Sequence, residues 1–582
     1  MFYTNTKYYT LTCLILLIGA GTSLQAQIDF ADISEQSGFD MLGSNYGVAI
    51  GDFDNDGDDD VYVSRNGQAN LLHRNNGDGT YTDVASTSGV AYSGNTHTSV
   101  WGDFDNDGHL DLYLGNKDVP NILYHNNGDG SFTDITEESG IGMLSNPRAV
   151  LLADVDRDGY LDIYVANLFQ KNALFKNNGD MTFTDIAEAS GVTDAQLSMG
   201  SMFFDYDNDG DQDLYLTHDG NQPYILYQND GAGNFTDVSE ASGTDYAGQG
   251  MGVDFGDVNN DGWLDIYITN MSYNTLLLNN GADGNGEVTF TDVSDQAMVT
   301  DAGMGWGTTF LDFDNDGFQD IYMVNDGYFA PYPNILYRNK GDNTFEIVSE
   351  NTPLANMHAT YGVACTDMNN DGMVDIFVVN NGHGDGNQLF QNNTNSSGNW
   401  LKVKTVGTIS NRAAIGTRVT IEAGGKIFTD EVSGGTGYAS QNSQTLHFGL
   451  GDVDKIDKMT IRWANGLVET YEDLKTNELL IVVENESLSV NTNDPQAFGL
   501  IANNFPNPVV GMLNVYLETQ RPQSLQVYVS DLSGKRIANL FSGDLKMEAR
   551  LLQWSPPVSS GIYFLTIESK EFITTRKIIV GQ

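Results

Sequence analysis

Cysteine is almost absent, with two residues, Cys13 and Cys365, in a chain of 582. Cys13 sits inside the apolar run at residues 11–20. That run follows Lys7, the only charge in the first 28 residues, and leads to Ser23-Leu24-Gln25-Ala26. Residues 1–26 therefore read as a secretory signal, and a cysteine inside the run rather than after it argues against a lipid anchor. Cleavage leaves Cys365 alone, so an exported protein of this sequence has no internal disulfide. Basic residues are also scarce, 27 Lys and Arg against 79 Asp and Glu, a net charge of -52. Such a chain lacks the basic patch that binds nucleic acid. No later segment is apolar enough over its length to span a membrane. Helix-favouring Ala/Leu/Lys/Glu tracts are missing. Disorder is excluded by composition, since 40% of residues are hydrophobic and 11% aromatic. Abundant Gly, Asp and Asn suit turns between short strands.

Against these absences stands a repeat. Acidic segments of pattern D-x-[DN]-x-D-G-x-x-D begin at Asp52, Asp103, Asp154, Asp205, Asp257, Asp312 and Asp367, at intervals of 51, 51, 51, 52, 55 and 55 residues. Around each, one unit recurs: F-T-D-[VI], a Ser-Gly turn, a Gly-rich strand, the acidic loop, an apolar strand, and N-x-L-[YF]-x-N-N-G. The strand after the loop begins Val61-Tyr62-Val63, Leu112-Tyr113-Leu114, Ile163-Tyr164-Val165 and so on to Ile376-Phe377-Val378. Apolar residues on both faces mean burial on both faces. Four short strands per unit, seven times, predict an all-β chain whose residues 27–398 form a seven-bladed β-propeller. Phe30-Ala31-Asp32-Ile33 copies the F-T-D-[VI] strand, while the last unit ends at Asn393 without one. The N-terminal strand is thus expected to complete the last blade and close the ring.

Carboxylates at positions 1, 3, 5 and 9 and a carbonyl at position 7 make an oxygen-only donor set, with Gly at 6 for the turn. That set suits calcium, a hard cation taking six to eight oxygens. Loop one supplies Asp52, Asp54, Asp56 and Asp60 with Asp58 at position 7; loop two Asp103, Asp105, Asp107 and Asp111 with His109. Loop three supplies Asp154, Asp156, Asp158 and Asp162 with Tyr160; loop four Asp205, Asp207, Asp209 and Asp213 with Asp211. Loop five supplies Asp257, Asn259, Asp261 and Asp265 with Trp263; loop six Asp312, Asp314, Asp316 and Asp320 with Phe318; loop seven Asp367, Asn369, Asp371 and Asp375 with Met373. Up to seven calcium ions are expected. An EF-hand needs Glu at position 12; here that position is Val63, Leu114, Val165, Leu216, Ile268, Met323 and Val378. A metal-free Asp/Asn/Gly turn is the plain alternative. It must leave 26 of the chain's 79 acidic residues crowded without a counter-ion.

These units resemble FG-GAP/VCBS repeats, the calcium-loop blades also found in integrin α-subunit heads. Residues 399–486 resemble the ASPIC/UnbV domain of cartilage-acidic-protein-like proteins, through Ser410-Asn411-Arg412-Ala413-Ala414-Ile415-Gly416, Gly434-Gly435-Thr436-Gly437-Tyr438, His447-Phe448-Gly449-Leu450-Gly451 and Trp463-Ala464-Asn465-Gly466. The family reads W-P-x-G in the last, so Ala464 departs from it. Alternating polar and apolar residues there predict a small β-sandwich or barrel. Residues 487–502 read as a linker. Residues 503–582 resemble a type A sorting domain of the type IX secretion system, through Phe505-Pro506-Asn507-Pro508, Asp531-Leu532-Ser533-Gly534-Lys535, Gly561-Ile562-Tyr563-Phe564 and Arg576-Lys577-Ile578-Ile579-Val580. This resemblance implies passage through the periplasm, contact with the secretion machinery, and a secreted or outer-membrane surface location.

No catalytic constellation is expected. The eight His residues are scattered singles, no G-x-S-x-G occurs, and Cys365 reads as a core thiol. His97-Thr98, Arg148 and Asp326-Gly327-Tyr328 fall in segments between strands and read as solvated loops at the propeller face. The chain is read as a calcium-binding adhesion or binding module for an extracellular glycan or protein. The alternative is a polymer-processing enzyme with its site in the propeller channel.

Overall fold

A computed structural model describes residues 28–485, 489–490, 500–505, 513–519, 523–531, 535–546, 549–555, 561–569 and 573–580. The signal segment, most of the expected linker, Pro506-Asn507-Pro508 and Leu532-Ser533-Gly534 lie outside the described residues.

The repeat folds as an antiparallel four-stranded unit, seven times over. The first strands are Leu42–Gly51, Thr96–Gly102, Pro147–Ala153, Ser198–Phe204, Gly250–Gly256, Gly305–Leu311 and Thr360–Thr366. Each runs into an acidic loop and returns as the second strand, for example Asp60–Arg65 or Asp111–Asn116. Third and fourth strands follow outward, such as Ile122–Asn126 and Phe132–Asp134. First strands of successive units contact one another, and the first strand of unit seven contacts that of unit one, so the sheets form a closed ring. The position-12 side chains and the second-strand aromatics are fully buried, as the two-faced apolar pattern requires. Adjacent sheets share cores: Ala49, Tyr62 and Leu72 of unit one pack against Trp101, Leu112 and Tyr124 of unit two.

Closure follows the expected route. Phe30–Asp32 pairs antiparallel with Gln388–Asn392 and serves as the fourth strand of unit seven. Units seven and one are further joined by the pairs Leu42↔Gly386 and Ser44↔Asn381. The turn before each of units one to six is a single helical turn, such as Ala85–Ser88. It ends on Gly89 at φ 85, a left-handed conformation that costs glycine little.

Residues 399–485 form a sandwich of two sheets. One contains Asn399–Val406, Leu446–Gly451 and Leu479–Val483; the other Arg418–Ala423, Lys426–Glu431, Lys455–Arg462 and Val468–Lys475. It docks on the end of the propeller that carries the acidic loops. One continuous core runs from Phe104, Leu123 and Leu152 of units two and three into Leu401, Ile415, Val419 and Trp463 of the sandwich.

The Gly-rich segment 434–443 of the sandwich enters the propeller channel. Leu152 N donates to Gly434 O (3.0 Å), Gly437 N to Val253 O (2.7 Å) and Val48 N to Ala439 O (3.2 Å). Ser440-Gln441 pairs parallel with Val48-Ala49, and the Gln441 amide bonds both Trp101 N (2.8 Å) and Trp101 O (3.0 Å). Val363 N donates to Ser440 Oγ (3.2 Å), Cys365 N to Asn442 Oδ1 (3.0 Å), and Asn442 Nδ2 to Thr309 Oγ1 (3.1 Å). Tyr438 at its tip packs with Met199 and Met251, which brings the remaining fourth unit into the contact set. The segment thus touches all seven units within the channel, beside a cavity lined by Asp254, Phe310, Cys365, Thr436 and Asn442, and satisfies backbone groups of inner strands.

The C-terminal strands form two sheets. One orders Leu500–Phe505, Leu513–Thr519 and Ala549–Trp554; the other Arg536–Leu545, Gln523–Asp531, Gly561–Glu568 and Ile573–Val580. Leu513, Val527, Val529, Leu565 and Ile567 lie in the core between them.

Two stability outcomes follow. Deleting residues 28–40 removes the buried Phe30, Ile33 and Phe39, at roughly 2 kcal/mol per side chain; differential scanning calorimetry will show a lower melting temperature. Gly434→Ala would set a Cβ 2.0 Å from Leu152 O. It is expected to destabilise by about 2 kcal/mol or more in urea titration.

Candidate metal centres on the acidic face

Each acidic loop is built by its own hydrogen bonds. The position-1 carboxylate accepts from the amides of positions 5 and 6: Asp56 N (3.0 Å) and Gly57 N (3.2 Å) to Asp52, Asp261 N (3.0 Å) and Gly262 N (2.8 Å) to Asp257. Position 5 accepts from the amide of position 7, as Tyr160 N to Asp158 (3.0 Å). Position 9 is fully buried and accepts from the amide of position 2 and from the third strand, as Phe104 N (3.1 Å) and Asn126 N (2.8 Å) to Asp111. Gly at position 6 takes φ from 86 to 97 in all seven loops.

These bonds aim carboxylates at a common centre. Oxygens of Asp52, Asp54 and Asp60 lie within 4.8 Å of one another, as do those of Asp154, Asp156 and Asp162, of Asp205, Asp207 and Asp213, and of Asp103, Asp105 and Asp107. Burial, aided by neighbouring carboxylates, pushes Asp54 up to about 6, Asp103, Asp154 and Asp257 up to about 7 and Asp60 up to about 9. Oδ1 of Asp54, Asp156, Asp205 and Asp314 is buried without a hydrogen-bond partner. Orphaned carboxylate oxygens around an all-oxygen centre fit a hard divalent cation. His109, Tyr160, Trp263, Phe318 and Met373 occupy position 7, where only the carbonyl could serve.

The structure adds residues that sequence reasoning missed. Position 4 of every loop has φ between 54 and 64 and reaches the next loop. Asn55 Nδ2 donates to Gly108 O (2.9 Å), Asn106 to Gly159 O (2.9 Å), Asn260 to Gly317 O (2.8 Å) and Asn315 to Gly372 O (2.9 Å). In loop three the residue is Arg157, which pairs with Asp211 (3.6 Å). The first Asn of each N-N-G also crosses between units, as Asn177 Nδ2 to Phe104 O (2.9 Å) and Asn392 Nδ2 to Phe313 O (2.7 Å). The repeat already held this signal, since one asparagine stands at position 4 of six loops and the other stands on the third strand of every unit.

The loops are not equivalent. The side chain before that Asn leans over the loop as His125 on Asp111 (3.0 Å), Lys176 on Asp158 (2.8 Å) and Asp156, Arg338 on Asp314, and Gln228 on Asp207 (2.7 Å); in unit five it is Leu278. The sandwich adds Lys402 to Asp367 (3.0 Å), Lys404 to Asp52 (3.2 Å) and Arg462 to Asp205. Arg412 N donates to Asn106 Oδ1 (2.7 Å) and His447 Nε2 lies 3.1 Å from Gly372 O. Lysines and arginines of both the third strands and the sandwich thus meet carboxylates of this acidic face.

Cys365 is buried, and burial pushes its thiol up to about 12, as a core thiol requires. His97-Thr98 and Arg148 depart from expectation. They lie in first strands, His97 and Thr98 buried, at the far mouth of the channel. Alternation on the inner strand, rather than local polarity, placed them there.

Fold and loops together define a β-propeller of acidic-loop repeats joined to a β-sandwich. The FG-GAP-like repeat profile matches residues 52–114, 103–165, 154–216, 205–268, 257–323 and 312–378, and the chain belongs to this family. The ASPIC and UnbV profile matches residues 407–489, and the secretion system C-terminal sorting domain matches residues 503–581. The sorting tail implies interaction with the secretion machinery and export to a surface or secreted location. No helix among the described residues is long and apolar enough to cross a membrane. The chain is similar to cartilage acidic protein 1 of Mus musculus, 27% identical over 466 residues, covering 72% of this chain and 71% of that one. It is likewise similar to that of Homo sapiens, 26% identical, covering 72% and 69%. Among solved structures, BBS1N in complex with ARL6DN aligns at TM-score 0.38 and 7% identity, covering 60% of this chain and 94% of that one. Saccharomyces cerevisiae Sqt1 aligns at TM-score 0.38 and 10% identity, covering 75% and 97%. Neither alignment carries an argument.

The raised carboxyls set a sign. A carboxyl whose folded pKa exceeds the ordinary 3.8 favours the folded state while protonated. That contribution is full below 3.8 and is lost as pH rises through about 7. In chelator, the melting temperature is therefore expected to fall as pH is raised from about 5 to about 8. Calcium should restore more at the upper pH, by about 2.7 kcal/mol per loop at a hundredfold excess over Kd. Differential scanning fluorimetry reads both.

Proposed function

We propose that this exported propeller binds calcium in its acidic loops and holds an extracellular ligand, a glycan or a protein, without chemical turnover. Calcium would be held by positions 1, 3, 5 and 9 of each loop and, when bound, supplies the counter-charge these carboxylates lack. Affinity is expected on the order of 10⁻⁴ to 10⁻³ M, the range of extracellular modules. The cations already seated at His125, Lys176 and Arg338 favour unequal filling, with loop five, beside Leu278, free of such a competitor.

One observation carries the binding reading. The sandwich covers the acidic face and its 434–443 segment enters the channel from that side, which leaves the opposite face as the open end of the ring. Leu42, Leu144, Phe169, Tyr273, Phe329 and Met357 are exposed there, in or beside the connections between strands. Exposed large apolar groups gathered on one face mark an interaction surface. This segment narrows the channel that the enzymatic alternative would use.

The test is a glycan and matrix-protein array probed with the full chain in calcium and in chelator. Retention of at least one ligand, unchanged in mass and lost in chelator, is the expected result. Release of shortened polymer would replace this reading with an enzymatic one.

A further inference from the structure

Seven side chains stand six residues before the first Asp of each loop, one per unit: Tyr46, His97, Arg148, Met199, Met251, Trp306 and Tyr361. They encircle the channel mouth on the open face, and Tyr438 at the tip of the channel segment closes the floor beneath them. The ring is lopsided. Units six, seven, one and two contribute a continuous aromatic arc. In it Trp306 lies 4.4 Å from Tyr361, Tyr361 5.3 Å from Tyr46, and Tyr46 stacks on His97 at 4.6 Å and 11°. Tyr46, Trp306 and Tyr361 are half-buried, so their rings are partly open to solvent. Outward from the arc, Tyr361 OH donates to Asp326 (3.3 Å), and Tyr328, 53% exposed, stacks on His383 at 4.1 Å and 12°.

Two donors in this arc are orphaned. Trp306 Nε1 is buried without a partner. His97 is 2% exposed, and its Nδ1 faces the Arg148 guanidinium. Burial and Arg148 push the imidazole down to about 3, so it is neutral with the hydrogen on Nε2, which also lacks a partner. A buried donor without an acceptor is unfavourable, and an acceptor-rich ligand that reaches it relieves that cost.

We propose that this mouth is a binding site for a neutral glycan, with Trp306, Tyr361 and Tyr46 as stacking platforms for sugar rings and the polar groups of Trp306, His97, Arg148 and Asp326 serving its hydroxyls. The site rests on the binding function proposed above and assigns it a place and a ligand class. Flat aromatic faces interleaved with planar polar groups suit a ligand whose rings are apolar on the face and polar at the edge. The net charge of -52 disfavours polyanions. Arg148 is the one Lys or Arg in the ring.

The experiment uses the full chain in calcium, titrated by calorimetry and tryptophan fluorescence with neutral hexasaccharides of β-1,4-glucan, β-1,3-glucan, β-1,4-xylan and α-1,6-mannan, and with alginate. At least one neutral hexasaccharide should bind with Kd of about 1 mM or tighter. Trp306→Ala and Tyr361→Ala should each weaken it about tenfold or more. Trp306→Phe, which keeps a ring and loses Nε1, should weaken it less than Trp306→Ala, and Val468→Ala, on the exposed sandwich strand Val468–Lys475, should leave it unchanged. Melting temperatures check folding, and Tyr46→Ala replaces any variant that fails. No neutral binding at about 1 mM, binding indifferent to the ring variants, or binding of alginate alone overturns the proposal. If a matrix protein on the array is retained while every neutral glycan fails, the site's ligand class is wrong and the binding function stands; if the array is empty, both fall.

Discussion

Like charge held at close quarters is the constraint on which this structure depends. Loop amides and the third strand fix the position-1 and position-9 carboxylates, for example Asp257 and Asp265, in places where burial first and neighbouring carboxylates second raise their proton affinity. A fold with this arrangement must answer it with counter-charge. Part is supplied by the chain itself: Lys176, Arg338 and His125 from third strands, and Lys402, Lys404 and Arg462 from the sandwich. The orphaned oxygens of Asp54, Asp156, Asp205 and Asp314 mark what those cations do not reach.

The same loops also tie units together. Position-4 asparagines pass from one loop to the next, and N-N-G asparagines cross to the carbonyl of the preceding unit's loop. Order in one loop therefore supports order in its neighbours, and the acidic face is cross-linked without any disulfide. The sandwich takes advantage of that rigid face. Its cations meet position-1 carboxylates, while segment 434–443 hydrogen-bonds inner strands along the channel. Propeller and sandwich share one core, so they stand as a single structural unit with one open face.

Much of this was legible in the residues. A repeat of 51–55 residues with a fixed acidic loop and an apolar-aromatic-apolar strand specifies a two-faced buried strand, seven times. The copy of F-T-D-[VI] at Phe30 told where the ring closes, because edge strands seek a partner. Harder to read were His97, Arg148 and Trp306. Each looks like an isolated polar or aromatic residue in a Gly-rich stretch. Their common position six residues before the loop becomes a ring only when seven strands converge on one axis.

By itself, the sequence determined the repeat, the acidic pattern of each loop and the sorting tail, because these depend on local pattern and composition. Tertiary structure decided which cations sit on which carboxylates, that Gly434 to Ser443 enters the channel, and which face stays open. Those outcomes depend on contacts between residues hundreds of positions apart, such as Gln441 with Trp101 or Lys404 with Asp52, and no local pattern encodes such pairings.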